Sequence, residues 1–387
     1  MTKAASFDVV IVGAGIAGAS LAWRLAPRCR VLLMERESQP GSHATGRSAA
    51  MFMASYGPPA VRALTRASEA FYLSPPPGFA HGPLLTLRGA LYVAAPGQAD
   101  LLAQTHAELA ATILDLRVLD VAATLACVPC LRPDQVLGAL HDTGGYDIDV
   151  NALLQGFLRG FRQLSGTLRT GAALLKAERD AGGWTLHLAG GDTVRTSTVV
   201  NAAGAWADEV ATLCGVALVG LQPKRRSAFT FASPAGMDVS GWPAVVGIDE
   251  SWYFKPDAGQ LLGSPANADP VAPHDVVPEE LDIAIGIHRI ETATTLTIRR
   301  PSATWAGLRS FVADGEPVIG WDRDPVDCGP VSGCPGFFWL AGQGGYGIQS
   351  AAGASLLAAS LILGDVLPAE LAREGVEPVA LSPQRLR

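Results

Sequence analysis

The sequence predicts an α/β protein: a Rossmann-like domain, discontinuous along the chain, with an inserted domain of mostly antiparallel β-sheet plus helices. Three observations predict it. Strand, glycine turn, helix and strand follow one another within residues 7–38; short strand-like runs with Pro, Gly and Asp turns fill the middle; and the end, from 337, returns to strand, glycine loop and helix. The chain has 387 residues, 49% of them hydrophobic, enough for two cores. The expected division gives 1–81, 145–215 and 314–387 to the first domain, and 82–144 and 216–313 to the inserted one.

The first unit is the clearest. The β-branched run "DVVIV" meets Gly13-x-Gly15-x-x-Gly18, an Ala/Leu-rich helical stretch follows, and "RVLLMER" (30–36) reads as the next strand. Gly13 makes the turn, Gly15 lets backbone approach a pyrophosphate, and Gly18 seats the helix on the sheet. The helix start at Ile16 and Ala17 offers unpaired N–H groups and a positive dipole end. Glu35, followed by Arg36, ends the second strand, where a carboxylate accepts both hydroxyls of an adenosine ribose. The pattern serves FAD and NAD alike.

"SHATGRSAAMF" (42–52) comes next, rich in small residues and hydroxyls, with Arg47 its one cation. A capped helix start would look similar; the functional reading is a backbone passing close to a flat ring system, with Ser48 near it. "NAAGAW" (201–206), after the strand "STVVN", is a second segment of close approach. A nicotinamide enzyme rarely needs such a second segment, whereas an extended FAD does.

In the middle, "RGALYVAA" (88–95), "RRSAFTFA" (225–232), "SWYFKPDAGQLLGS" (251–264) and "TLTIRRP" (295–301) read as strands, and "KPDAGQ" as a hairpin turn. Residues 98–113 and 278–291 read as helices, and "SPPPG" (74–78) and "DPVAP" (269–273) as rigid loops. At the end come the strand "FFWLAG" (337–342), the loop "QGGYG" (343–347) and a helix over 348–364. N–H groups where "QGGYGIQ" opens that helix could face a flavin edge that gains negative charge on reduction.

Lys and Arg total 29 against 36 Asp and Glu, a net charge of −7. Nucleic acid calls for a basic surplus, so no such partner is expected. Lys3 ahead of an apolar run has the outline of a secretory leader, but Asp8 interrupts the run and the glycine turn occupies it. The stretch "AAGASLLAASLILG" (351–364) is too short and serine-broken to span a bilayer. The expectation is a cytoplasmic protein without an integral membrane segment, peripheral association remaining open. Cys29, Cys127, Cys130, Cys214, Cys328 and Cys334 are scattered and do not form a disulfide framework. "CVPC" (127–130) has C-x-x-C spacing that Cys328 and Cys334 could complete, but small buried hydrophobes beside Pro129 are the simpler reading, and no metal is expected.

Gly13, Gly15, Gly18, Glu35, "TGRSAA", "NAAGAW" and "AGQGGYGIQ" resemble the D-amino-acid oxidase superfamily of FAD enzymes. With "LQPKRRSAF", "LLGSPANADP", "TLTIRRP" and "WAGLRSFVADG" added, the chain is similar to bacterial FAD-dependent D-arginine dehydrogenases from about residue 7 to "LSPQRL". The resemblance implies noncovalent FAD between the two domains. It also implies oxidation of a D-amino acid to an imino acid, which water hydrolyses to a 2-oxo acid and ammonia. Cofactor contacts are then expected at the residues already named, at Thr45, Ala49, Leu174, Ala203, Gly204 and Trp206, and at Gly344, Tyr346, Gly347 and Ile348. The electron acceptor, whether quinone, carrier protein or O2, stays open. So do an O2-using D-amino acid or secondary-amine oxidase and, from another class, a non-catalytic or tRNA-modifying flavoprotein.

An α-carboxylate needs a fixed cation, and guanidinium supplies two parallel donors. In "LQPKRRSAF", strand alternation puts Arg226, Ala228 and Thr230 on one face and Arg225, Ser227, Phe229 and Phe231 on the other, with Arg225 expected to be paired or to leave at the sheet edge. The resemblance makes Arg226 the clamp, joined by Arg309 and the hydroxyl of Tyr253, and places the Gly345 carbonyl and Gln349 near the amino group. D-arginine dehydrogenases carry an acid where Ala90 stands, a histidine where Met51 stands and a tyrosine where Phe52 stands; Tyr56 is kept. Met51, Phe52, Met53 and Ala90 describe an apolar pocket, so neutral or hydrophobic side chains are expected over D-Arg.

Overall fold

The computed structural model describes residues 5–113, 115–322 and 336–387. The first β-branched run forms the strand Ala5–Val12, flanked in parallel by Val31–Met34 and Thr193–Asn201. Thr167–Arg169 extends the sheet beyond Val31–Met34, and Gly336–Ala341 extends it beyond Thr193–Asn201. Val318–Trp321 then pairs antiparallel with Gly336–Ala341. The first half of Thr193–Asn201 also carries an antiparallel meander of Gly183–Leu188 and Leu174–Asp180. Alternation sends Val9 and Ile11 to one face and Val10 and Val12 to the other. Helices Ile16–Leu25, Pro59–Leu73, Val150–Gln163 and Ala351–Leu363 cover the first face; the meander and helix Ala207–Leu213 cover the second. A side chain on Gly18 would overlap the Gly13 carbonyl, so the first helix sits directly on the turn that precedes it.

The second sheet has nine strands. Its path runs Asp269–Pro270, Gln222–Phe231, Gln260–Ser264, Tyr253–Asp257, Ala244–Gly247, Ala90–Ala94, Gly138–Asp142, Leu116–Leu119, with Ala303–Phe311 along the free edge of Gln222–Phe231. Its pairings are antiparallel except that of Ala244–Gly247 with Ala90–Ala94. The expected hairpin is present: Asp257 faces Gln260, and Ala258 (φ 47°) and Gly259 (φ 79°) supply the left-handed pair that a two-residue turn needs. Helix Glu280–Ala293 packs Ile283 and Ile290 against Phe229 and Phe231. A small third sheet joins Met51–Phe52, Tyr146–Ile148 and Leu85–Leu87.

Three expectations are corrected. "TLTIRRP" is not a strand. Leu296 and Ile298 do point inward, which is why the run alternates, but their N–H groups go to Thr294 Oγ1 and Glu291 Oε1 rather than to a ladder. The last helix begins at Ala351 rather than 348, because residues 345–350 are consecutive turns. "DPVAP" begins as a two-residue strand on Lys224 and Arg225 instead of a loop. Cys127 ends helix Val121–Cys127; Cys130 is buried, and burial pushes its thiol up to about 12. Cys328 and Cys334 lie outside the described residues. Among the described residues no group of three or more His, Cys, Asp or Glu could hold a metal, and no helix is long and apolar enough to cross a membrane.

The three adjacent cations go to three places. Lys224 Nζ lies 5.1 Å from the centroid of the Phe311 ring. Arg225, 8% exposed, pairs with Asp282 at 2.8 Å and with Glu279. Arg226 faces the cleft described below. Asp282 is a hub, also accepting from Ser227 Oγ at 2.7 Å and Asn267 Nδ2 at 3.0 Å. Asp282→Ala leaves Arg225 with Glu279 and Asp269 but takes the acceptor from its Nε and from the buried Ser227 hydroxyl, so urea unfolding of the variant is expected to show a loss of about 1–3 kcal/mol.

Candidate active site

Two joined cavities, of about 1010 and 960 Å3, run along the seam between the two sheets and share Gly15, Thr45, Ala202, Gly204 and Leu308. The first holds Gly13, Glu35, Arg36, Leu174, Ala203 and Trp206. Backbone N–H groups of Ala14 (2.9 Å) and Glu37 (3.0 Å) each take one oxygen of Glu35, fixing the carboxylate while leaving lone pairs for diol hydroxyls. Arg36 lies 4.1 Å from the Trp206 ring centroid. Between the cavities, Gly15 starts helix Ile16–Leu25 without a side-chain cap, and Thr45 Oγ1 accepts the Ile16 N–H at 3.0 Å. A Cβ on Gly204 (φ 55°) would meet nothing within 4 Å, so the backbone there borders open space. The second cavity adds Ile16, Ala17, Arg47, Ser48, Ala49, Gly344, Gly347 and Ile348. A long cleft with a ribose-binding carboxylate at one end, an open helix start midway and small residues beyond suits an extended FAD.

At the far end the cleft meets a third cavity of about 690 Å3, and Arg226, Tyr253, Arg309 and Gly345 line both. Register explains the meeting. Lys224 faces Arg309 and Arg226 faces Gly307 across the strand pair, so Arg226 and Arg309 share one face diagonally, with no side chain between them. Burial pushes the Arg226 guanidinium below its usual range and repulsion from Arg309 adds to this. Burial also opposes the Arg309 charge, but the phenols of Tyr56 and Tyr253 outweigh it. Arg309 reaches Tyr56 Oη at 3.4 Å, and Arg226 Nε donates to the Asn267 carbonyl at 2.5 Å. Two half-desolvated cations side by side make an anion site.

A model of FAD-dependent oxidoreductases of the DAO family matches residues 8–361. The chain belongs to that family, and FAD is its cofactor. The fold of this oxidoreductase is that of glycine oxidase from Geobacillus kaustophilus (TM-score 0.82, 22% identity, covering 98% of this chain and 99% of that one). L-proline dehydrogenase from P. horikoshii is also similar (TM-score 0.77, 18% identity, 99% and 98% covered). So is the FAD-bound L-α-glycerophosphate oxidase from Mycoplasma pneumoniae (TM-score 0.78, 17% identity, 92% and 95% covered).

The oxidoreductase uses several of the expected residues differently. Gly18 lies under the cleft as packing. Tyr346 does not line it; its ring meets Tyr56 at 5.1 Å and backs that residue. The Arg47 guanidinium is occupied by the Val276 (2.9 Å) and Ala306 (3.1 Å) carbonyls and by Asp275, so it pins one part of the chain to another. Gln349 lines the third cavity, but its amide serves the protein: Nε2 donates to the Tyr56 carbonyl (3.2 Å) and Thr65 Oγ1 (3.1 Å), and Oε1 faces the Met53 N–H at 3.4 Å. It thereby holds the Tyr56 backbone beside the cavity.

Met51 and Met53 line the third cavity, whereas Phe52, 1% exposed, points the other way into Tyr72 and Tyr146, as alternation requires. Ala90 is fully buried and does not line it. The acid opposite Ala90 on the next strand, Asp142, is sealed by Ser55 Oγ at 2.6 Å, itself 2.9 Å from Tyr92 Oη. Glu250 and Lys255 also line the third cavity and were not expected from the sequence. Lys255 shares a strand face with Tyr253 and could have been found by counting two residues on; it is 3% exposed and bound to Asp147 at 2.7 Å. Glu250 stands in the turn before Tyr253 at φ 56°, reachable by solvent at the cavity mouth. Burial of its carboxyl raises its pKa above the usual range, Arg226 and Arg309 opposing.

A Cβ on Gly345 would lie 2.5 Å from Arg309 Nη1. Gly345→Ala is therefore expected to keep its flavin absorbance but bind an aliphatic monocarboxylate at least about tenfold more weakly by spectral titration. Ionised Glu250 repels an incoming carboxylate, so affinity should fall as pH rises through its elevated pKa, and Glu250→Gln should abolish that step.

Proposed function

We propose that this oxidoreductase is a D-amino acid dehydrogenase that deaminates neutral, apolar D-amino acids to 2-oxo acids. The observation that carries the reading is the Arg226–Arg309 pair, placed where the cofactor cleft opens into the methionine-lined cavity. The pair takes the α-carboxylate through parallel donors, with the hydroxyls of Tyr253 and Tyr56 beside it. Clamping the carboxylate fixes Cα at the junction, with the side chain in the third cavity and the amino group toward the Gly345 carbonyl. FAD supplies the two-electron acceptor for the hydrogen that leaves Cα with its bonding pair. The amine gives its proton to water, a C=N bond forms, and hydrolysis releases the 2-oxo acid and ammonia.

Met51, Met53, Val246 and Ile348 give the side chain apolar walls, and the Lys255 charge there is already paired with Asp147. The D configuration rests on the motif resemblance to D-arginine dehydrogenases. Anaerobic mixing with D- and L-amino acids tests the whole reading. D-Met, D-Leu and D-Phe are expected to bleach the flavin with kcat/KM at least about tenfold above D-Arg, a difference of about 1.4 kcal/mol. Their L-enantiomers, sarcosine and D-lactate are expected to leave the flavin oxidised. Bleaching by L-amino acids, or a preference for D-Arg, would sink the proposal. Timed admission of air to the reduced protein then separates a dehydrogenase from an oxidase.

A further inference from the structure

One buried donor in the cofactor cleft has no partner among the described residues. Gln343 opens the glycine loop; its carbonyl accepts the Tyr346 N–H at 2.9 Å, and Gly344 bridges to Ser310 on the strand that carries Arg309. Its side chain folds back over that loop. A Cβ on Gly347 would overlap Gln343 Oε1, so the bare backbone at 347 gives the amide its place. Nε2 is buried and makes no hydrogen bond. Gln343 also lines the cavity that holds Ala17, Arg226, Arg309 and Gly345.

An amide donor left unmade in the interior costs about 1–3 kcal/mol, and native proteins leave few such groups. Among the described residues two other buried side-chain atoms share this state, Gln260 Oε1 and Glu316 Oε2, and neither residue lines the cofactor cleft. The Gln343 donor therefore fits a partner that the cleft itself receives. Gln343 lines the cavity that reaches the arginine pair and not the one holding Glu35 and Trp206. The partner there is the isoalloxazine ring, whose hydrogen-bond acceptors are its carbonyl oxygens and ring nitrogens.

We infer that Gln343 Nε2 donates a hydrogen bond to the isoalloxazine of FAD and thereby favours the reduced state. Reduction adds negative charge to these acceptors, so a donor aimed at them binds the reduced ring more strongly than the oxidised one. The inference rests on FAD as cofactor and not on which amine is oxidised. Its test therefore uses no substrate, so its failure and that of the proposed activity are distinguishable.

The holoprotein is titrated anaerobically against reference dyes as wild type, Gln343→Leu and Gln343→Glu. Q343L is expected to retain FAD and to shift the oxidised-to-reduced equilibrium about tenfold toward oxidised, a midpoint lower by about 30 mV for a two-electron couple. Q343E, which puts a carboxylate at the same place, should fall further. Midpoints of both variants at or above wild type would overturn the inference. Should Q343L lose its FAD, wild-type protein labelled with side-chain 15N-glutamine provides the readout. The amide signal missing from Q343E must move when dithionite reduces the flavin, and a signal that stays put would equally overturn the inference.

Discussion

The pairing of Gln222–Phe231 with Ala303–Phe311 is the constraint on which the site depends. It puts two guanidinium groups on one sheet face, one pleat apart, with Gly307 opposite Arg226. Among the described residues neither cation meets a carboxylate in direct contact, although Arg225, one residue away, is held by Asp282, Glu279 and, more loosely, Asp269. The same ten-residue strand therefore buries one charge at its core face and presents another to the cleft. The difference is which face each residue occupies.

The cofactor cleft is a seam and not a hole within either sheet. Glycines at 13, 15 and 204 bring backbone up to it from the first sheet, and Gly307 and Arg309 reach it from the second. Arg47 ties the Ala44–Arg47 turn to the Val276 and Ala306 carbonyls, and Val276 packs with Trp206, Ala306 and Leu308. The seam is closed by contacts from both sides, and its polar groups that serve the protein are already satisfied. Facing the space are the Glu35 carboxylate, the start of helix Ile16–Leu25, the Gln343 amide and, at the far end, the Arg226–Arg309 pair.

The third cavity combines apolar walls with charge kept under control. Lys255 is compensated by Asp147, which Arg88 also holds at 2.7 Å, so the cation lies in a closed network. Asp142 does not line the cavity and accepts from the Ser55 hydroxyl at 2.6 Å and the Gly144 N–H at 3.0 Å. Glu250 differs, standing at the mouth with a raised carboxyl pKa and two arginines behind it. An acid at the rim sets the charge that an anion would meet on entering.

The fold class, the turn at Gly13–Gly18, the hairpin at Ala258–Gly259 and the opposite faces of Arg225 and Arg226 were legible in the sequence. Each depends on periodicity or backbone geometry within a few neighbouring residues. The same periodicity already separates Phe52 from Met51 and Met53. Contacts between distant segments were not legible. Ala244–Gly247 pairs in parallel with Ala90–Ala94, a match no local pattern announces, and it buries Ala90 behind the cavity wall. Glu250, Lys255 and the Gln343 amide acquire their surroundings only when the second sheet closes against the first. Local sequence determined which residues share a face; only the tertiary structure decided what each face would meet, because that depends on strand pairings between residues far apart in the chain.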